Sequence, residues 1–332
     1  MRARRSVFRW LIAGAVLLGA FAAWRYAFAP LEQAQSELRI SIERGGGLRG
    51  IAASLERQGL QVSFPALWLA TRLRGDVTRL KAGTYLVTAP TTLRVLLDRI
   101  VAGDVLMAEI RFIEGWTFAQ MREVIDTHPD LRHDSAGLPE AELLGKIGVN
   151  APGAEGQFLP ETYRFASGTS DLDIYRQAHR ELRRTLDEAW QARAPGLPYA
   201  RPYDALIMAS IVEKETGIEA DRDKVAAVFV NRLRIGMRLQ SDPTTIYGLG
   251  ARFDGNLRKA DLLADTPYNT YTRAGLTPTP IALPGRASIS AALHPASISA
   301  LYFVARGDGH SEFSDNLEAH NRAVARYQLK QR

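Results

Sequence analysis

A run of apolar residues ends in three charged ones near the middle of the chain. Residues 202–217 read PYDALIMASIVEKETG, with Glu213, Lys214 and Glu215 at the end. Apolar side chains lie on most sides of the helix that this stretch predicts, so we expect the helix to be buried. A carboxyl group in an apolar setting keeps its proton to higher pH, which is the condition for a general acid. Glu213 is therefore the first candidate for acid–base chemistry.

The helix alone leaves a second interpretation of Glu213 open. A glutamate at this place can have a purely structural role, paired with Lys224 or with an arginine. Glu215 is interpreted as a charge at the end of the helix, where the chain reaches solvent.

Several loops elsewhere in the chain combine aromatic rings with amide, hydroxyl and acid groups. They are EGQFLPETYRF at 155–165, LQSDPTTIYGLG at 239–250 and TPYNTYTRAGLTPTPIALPG at 266–285. Long loops inside a compact domain are commonly functional, and rings that stack on sugar faces beside polar groups that hold hydroxyls suit a carbohydrate. Each loop alone has an ordinary structural explanation, but together with Glu213 they indicate a glycan cleft. The candidate supporting residues are Glu155, Gln240, Ser241, Asp242, Tyr268, Asn269 and Thr270.

Other chemistries are excluded by the residues that the chain lacks. It has no cysteine, so disulfides, Cys-ligated zinc and thiol nucleophiles are ruled out. The GxSxG, GxxxxGK[ST] and HExxH motifs are missing, and the six histidines show no metal-ligand spacing. No metal or cofactor is therefore expected.

The N-terminus carries most of the excess positive charge. The formal net charge is +6, and +1 remains when the five arginines of this segment are set aside: Arg2, Arg4, Arg5, Arg9 and Arg25. The rest of the chain is therefore not expected to bind nucleic acid. Residues 10–24 are apolar or small and lie between Arg9 and Arg25. They predict a transmembrane helix at 10–29, with residues 1–9 in the cytoplasm and the body outside. A cleaved signal peptide ending at AFA (27–29) is the alternative, and it exports the body too.

The exported body is expected to have a mixed α+β fold. Residues 38–104 predict a strand, two helices, a strand and a helix, with Thr91 or Thr92 capping the last helix. Residues 105–332 mix strands and helices without regular βαβ alternation, and a Pro-, Gly- and Asn-rich tract runs from Gln240 to Arg286. The first part contains no cluster of titratable groups, so the chemistry is expected in the second.

Long motifs in a fixed order resemble the endolytic murein (peptidoglycan) transglycosylases, the MltG or YceG-like family. They are LIMASIVEKETG, VAAVFVNRLRIGMRLQSDPTTIYGLG, TPYNTYTRAGLTPTPIALPG and LYFVARGDGHSEFSDNLEAHNRAV, with IEGWTF and EGQFLPETYRF before them. The resemblance covers the whole exported body and includes the N-terminal anchor. It implies a LysM-like subdomain at 38–104 and a catalytic domain at 105–332. One departure is the Thr in GLTPTP, where Pro or Gly is more usual.

The resemblance also implies an activity and a site. It implies cleavage of the bond from N-acetylmuramic acid to N-acetylglucosamine without water, with Glu213 as the catalytic acid and base. His320 and Asn321 are added as residues that brace the cleft. Peptidoglycan strands are the implied substrate, cell-wall synthases in the inner membrane the implied partners, and the periplasm the implied compartment. Two alternatives stay open: a non-catalytic glycan-binding scaffold, and a hydrolytic muramidase whose second carboxylate is Glu155, Glu161 or Asp242.

Overall fold

The computed structural model describes residues 2–43 and 45–329, with the side chains of residues 2–9 and 329 left out. The predicted cytoplasmic segment 1–9 thus lies outside the described side chains. The fold is mixed α+β, as predicted, and the chain divides into two compact units. The first comprises Met1–Glu109 and Arg164–Thr169, and the second comprises Ile110–Tyr163 and Ser170–Arg332.

The first unit begins with a long apolar helix, α1 (Arg2–Phe28). Its segment Trp10–Phe28 is long and apolar enough to cross a membrane, and none of that segment is buried in the protein. The unit continues with β1 (Glu37–Ile42), α2 (Leu48–Arg57), α3 (Phe64–Arg74), β2 (Gly83–Thr88) and α4 (Leu93–Ala102). This is the order of elements predicted for 38–104.

Alternating apolar residues on the two strands give this unit its core. β1 and β2 pair antiparallel, which sets Ile40 opposite Tyr85, and both side chains are fully buried. Helices α2, α3 and α4 pack apolar side chains such as Leu55 and Leu97 into the same cluster. Thr92 caps α4 by accepting a hydrogen bond from the N–H of Val95, which selects one of the two predicted caps.

Four short strands follow along the chain. β3 (Met107–Arg111) pairs with β5 (Thr162–Ala166), and β4 (Leu131–Arg132) pairs with β6 (Thr169–Ser170). The division of the chain into units falls within β3, β5 and β6.

The second unit is mainly helical. Its helices are α5 (Phe118–Asp126), α6 (Glu140–Ile147), α7 (Asp171–Gln191), α8 (Pro202–Glu215), α9 (Glu219–Arg234), α10 (Asp242–Leu249), α11 (Lys259–Leu263), α12 (Arg286–Leu293) and α13 (Leu317–Val324). The strands β7 (Tyr302–Ala305) and β8 (Ser311–Ser314) form an antiparallel pair before α13. Helix α8 contacts α7, α9, α10 and α12, which explains why its sequence is apolar on nearly every side.

Candidate active site

Glu213 lies where the buried helix α8 emerges from the core. Every residue from Ala205 to Val212 is buried, and Glu213 is the first half-buried position after them. The helix begins with Pro202 in its first turn, and Asp204 accepts hydrogen bonds from the backbone N–H groups of the residues just before it. The Glu213 carboxyl group is therefore attached to a rigid element, with one side open.

The backbone of two other segments holds the Glu213 side chain. The N–H of Gly285 donates a hydrogen bond to Oε2 of Glu213 at 2.9 Å. Gly115 approaches from another side, since a Cβ atom there would lie 3.8 Å from Cγ of Glu213. Gly115 has φ of +77°, a conformation that favours glycine, and its carbonyl accepts a hydrogen bond from Nζ of Lys214 at 3.2 Å.

Glu213 forms no ion pair among the described residues. Lys224, the partner considered from the sequence, pairs with Asp221 at 3.3 Å instead. No lysine or arginine in the described part of the chain forms an ion pair with Glu213, and its Oε1 accepts no hydrogen bond there. The interpretation of Glu213 as half of a structural ion pair is therefore wrong.

Residues 280–285 (PIALPG) run past α8 and are fixed at several points. The N–H of Ile281 donates to Oγ of Ser210, which is fully buried on α8, at 3.0 Å. The N–H of Leu283 donates to the carbonyl of Trp116 at 2.7 Å, and the N–H of Gly115 donates back to the carbonyl of Leu283 at 2.9 Å. These bonds fix the position of the Gly285 N–H, and therefore that of the Glu213 carboxylate.

A second carboxyl group, that of Glu114, lies directly against Gly285. A Cβ atom on Gly285 would be 1.9 Å from Oε1 of Glu114, so only glycine fits there without displacing Glu114. Partial desolvation raises the pKa of Glu114, and the negative charge of nearby Glu213 raises that pKa further. The sequence analysis did not single out Glu114, although Glu114 lies within the IEGWTF motif that contributes to the family resemblance.

Glu215 lies in a different environment from the one expected. It is half-buried, and its Oε1 accepts a hydrogen bond from Oγ of Ser241 at 2.5 Å. Burial raises the pKa of Glu215 to about 7, and the neighbouring Asp242 adds to the increase. The interpretation of Glu215 as an ordinary helix-end charge is therefore wrong.

The residues predicted around Asp242 gather near Glu215. The N–H of Ser241 donates to Oγ1 of Thr270 at 3.0 Å, and the N–H of Gln240 donates to the carbonyl of Thr270 at 3.2 Å. Gln240 is exposed with φ of +51°, the one positive φ of a non-glycine residue in the described chain. Asp242 accepts a hydrogen bond from the hydroxyl of Tyr271 at 2.5 Å.

Asn269 is fully buried, and its amide group is used by the fold. Nδ2 donates to three backbone carbonyls, those of Asp261, Leu262 and Ala264, at 2.7–3.3 Å. Oδ1 accepts from Oγ1 of Thr245 and from a backbone N–H. Asn269 therefore organises the irregular tract, and its amide has no free donor for a sugar.

Glu155 and Tyr268 form a further group. Glu155 is buried, and its carboxylate accepts hydrogen bonds from the N–H of Phe118 at 2.9 Å and the hydroxyl of Tyr247 at 3.3 Å. Burial raises the pKa of Glu155 to about 7. The ring of Tyr247 packs edge-on against Tyr268, whose hydroxyl lies 2.8 Å from that of Thr279.

His320 and Asn321 lie on α13. The His320 ring stacks on Tyr302 with centroids 5.2 Å apart, and its pKa is lowered by burial and then by the charge of Arg232. Asn321 is exposed. No hydrogen bond among the described residues joins the predicted supporting residues to Glu213, which contacts Gly115 and Gly285 instead.

Comparison with known proteins identifies the family. The profile of the YceG-like family matches residues 40–326, so the chain belongs to that family. A Bacillus subtilis protein named endolytic murein transglycosylase is 30% identical over 330 residues, covering 94% of this chain and 91% of that protein. A protein of the same name from Streptococcus pneumoniae is 26% identical and matches 87% of this chain but 58% of its own length.

A solved structure shows the same relationship. The crystal structure of a YceG-like protein from Listeria monocytogenes aligns with a TM-score of 0.53 and 28% identity. The alignment covers 86% of this chain and 98% of the Listeria chain.

Proposed function

We propose that this chain is a membrane-anchored endolytic murein transglycosylase, a lyase. It cleaves bonds from N-acetylmuramic acid to N-acetylglucosamine in nascent peptidoglycan strands and leaves 1,6-anhydro ends. Membership of the YceG-like family and the names of the relatives support this activity. The geometry of Glu213 supports the mechanism.

One observation carries the chemical proposal: the environment of the Glu213 carboxyl group. Oε2 is oriented by the N–H of Gly285, while Oε1 accepts no hydrogen bond in the described chain. Oε1 is therefore the oxygen that can interact with the substrate. The carboxyl group is half-buried at the end of α8, so it is both firmly positioned and reachable by substrate.

The reaction uses Glu213 twice. The carboxyl group first donates its proton to the glycosidic oxygen, and the bond from that oxygen to C1 of the muramoyl residue breaks through an oxocarbenium-like state. The carboxylate then takes the proton of the muramoyl C6 hydroxyl. The C6 oxygen bonds to C1 and closes the 1,6-anhydro ring. No water is consumed, and Glu213 regains its proton.

The predicted supporting residues have different roles in this proposal. Ser241, Asp242, Gln240 and Thr270 shape the wall of the cleft beside Glu215, where exposed Gln240 and Asp242 contact sugar hydroxyls. Tyr268 and Glu155 hold the packing beneath the cleft. His320 and Asn321, together with Asn269, are assigned to support of the surrounding fold.

The proposal also includes a location. The apolar helix Trp10–Phe28 anchors the chain in the inner membrane, with residues 1–9 in the cytoplasm and the body in the periplasm. Residues 38–104 serve as a LysM-like glycan-binding module, and residues 105–332 serve as the catalytic domain. Anchored beside cell-wall synthases, the enzyme ends the elongation of new strands.

A hydrolytic muramidase is the second candidate, and Glu114 favours it. A hydrolase needs a second carboxylate near the acid, either as nucleophile or as base for a water molecule. Glu114 lies against the same Gly285 that binds Glu213, and its pKa responds to the charge of Glu213. Among the described residues, none of the three carboxylates considered from the sequence shares a hydrogen-bond partner with Glu213, although the charge of Glu161 also raises the pKa of Glu114.

Strand cleavage tests the proposal. Intact peptidoglycan strands are digested with the full chain in detergent, and strand length is followed by chromatography. Glu213→Gln is expected to lose activity by roughly 10²–10⁴-fold, the usual contribution of general acid–base catalysis. Glu219→Gln, at an exposed position on α9, is the matched control and should retain it. Full activity in Glu213→Gln would refute the catalytic role of Glu213, whereas no cleavage by either the wild type or the variant would favour the glycan-binding scaffold.

A further inference from the structure

Helix α3 of the first unit exposes an apolar face. Its residues Leu67, Ala70 and Thr71 are buried in the core of the unit. On the other side, Trp68, Leu69 and Leu73 are 45%, 44% and 79% exposed. A helix with apolar residues all round is normally buried in protein or membrane, and adjacent exposed apolar residues usually mark an interaction surface.

This face forms one wall of a groove, and α1 forms the other. Leu18, Phe21 and Ala22 line it from α1. Ala66, Leu69 and Leu73 line it from α3, and the groove has a volume of about 910 Å³.

The α1 wall belongs to the segment that is long and apolar enough to cross a membrane. Because α1 and α3 line the same groove, lipid around the last turns of α1 would come within reach of α3.

Polar contacts fix α3 beside the end of α1. Nη1 of Arg74 donates a hydrogen bond to the hydroxyl of Tyr26 at 2.7 Å, while its other nitrogens bind Asp76 and Asp98 at 2.6 Å each. Tyr26 lies two residues before the end of α1. The groove between the two helices is thus held by charge-assisted bonds.

Arginines surround this groove. Arg25 and Arg49 line it together with Arg74, although Glu32 and Glu56 are also present. The guanidinium of Arg72 lies 5.8 Å from the centroid of the Trp68 ring on the exposed face of α3. Tryptophan and arginine are the residues that settle at the headgroup level of a bilayer, where an arginine reaches phosphate and its stem stays in apolar surroundings.

We propose that the first unit docks on the bilayer through α3, with a phospholipid in the groove. Its acyl chain lies between α1 and α3, and its phosphate contacts Arg25 and Arg49 at the rim. This inference rests on the membrane anchoring proposed above and goes beyond it. An anchor alone requires only α1 in the membrane, whereas docking also places Leu69 and Leu73 in lipid.

Spin labelling tests the proposal on the full chain. The protein contains no cysteine, so single cysteines can be introduced without background. Leu69→Cys and Leu73→Cys report on the docking face, and Leu17→Cys reports on the anchor. Thr88→Cys is the control, because Thr88 is exposed on β2 of the same unit and does not line the groove.

Each variant carries a nitroxide and is reconstituted in vesicles of phosphatidylethanolamine and phosphatidylglycerol. Power saturation compares collisions with oxygen, which enters lipid, and with a water-soluble nickel complex. The expected oxygen-to-nickel accessibility ratio is several-fold higher at 69 and 73 than at 88, and it is also high at 17.

Two results would overturn the inference, and they are distinguishable. Labels at 69 and 73 as accessible to nickel as the label at 88, with the label at 17 in lipid, would refute docking and leave the anchor intact. An aqueous label at 17 would refute the anchor itself, and docking with it.

Discussion

Glu155 should make the stability of the second unit depend on pH in a defined direction. Its pKa rises from the ordinary value of 4.5 to about 7 in the folded chain, mainly because the carboxyl group is buried. The folded state therefore holds the proton more tightly than the unfolded state. Between these two pH values stability falls as pH rises, by about 1.4 kcal/mol per unit, and about 3 kcal/mol is lost in all. Below pH 4.5 this contribution is fully present, and above pH 7 it has gone.

Glu155→Gln isolates this effect, since the amide keeps the shape of the side chain and cannot ionise. The difference in free energy of unfolding between wild type and variant should shift by about 3 kcal/mol in favour of the variant between pH 4 and pH 8. Two units need not unfold together, so the measurement should be local. Hydrogen exchange, followed by mass spectrometry on peptides of α8 and α9, reports on the core of the second unit.

An exposed glutamate provides the comparison. Glu219→Gln makes the same chemical change at an exposed position on α9 and is the matched control. A difference between wild type and Glu155→Gln that stays constant from pH 4 to pH 8 would refute the reasoning. The Glu155 carboxyl would then titrate as if it were in water.

Three further predictions concern residues around the site. Gly285→Ala places a methyl group where the Glu114 side chain lies, and any shift of residue 285 that relieves this contact also moves the N–H that binds Glu213, so kcat should fall by roughly 10²-fold with KM less affected. Gly145→Ala is the control and should retain activity, because a Cβ atom added there meets open space. Equal kcat values in Gly285→Ala and the wild type would contradict the positioning role of Gly285. In Glu213→Gln, the pKa of Glu114 measured by carbon NMR should fall, because the negative charge of Glu213 is removed; an unchanged pKa would show that the two groups are uncoupled. Asn269→Ala leaves three backbone carbonyls without their donor and should lower the free energy of unfolding by roughly 2–4 kcal/mol in chemical denaturation, whereas a loss below about 1 kcal/mol would contradict its role in the tract.

Local patterns were enough to predict much of the fold. The βααβα order of the first unit and the Thr92 cap follow from periodicity and capping chemistry. The burial of α8 follows from its apolar composition. The short elements were not predicted. Helices α10 and α11 lie in the Pro- and Gly-rich tract, and contacts such as those of Asn269 hold them, which no local pattern reveals.

The candidate site also contains one residue that the local sequence indicates and others whose setting depends on distant parts of the chain. Glu213 could be singled out because its own helix supplies the apolar setting. Glu114 could not be, since it reaches Glu213 from a segment about a hundred residues earlier in the chain, where nothing local marks its place. The burial of Glu215 likewise depends on Ser241, which comes from another element. Pairings across the chain are decided by packing, and the spacing of residues within one segment carries little of that information.

The masses of the strand ends test the central claim most directly. Full-length protein and its Glu213→Gln variant are incubated with intact peptidoglycan strands, and the new ends are analysed by mass spectrometry. We expect muramoyl ends that are lighter by one water than hydrolysis products, formed by the wild type and absent with the variant. Reducing ends that carry the added water would contradict the transglycosylase mechanism and favour the muramidase with Glu114.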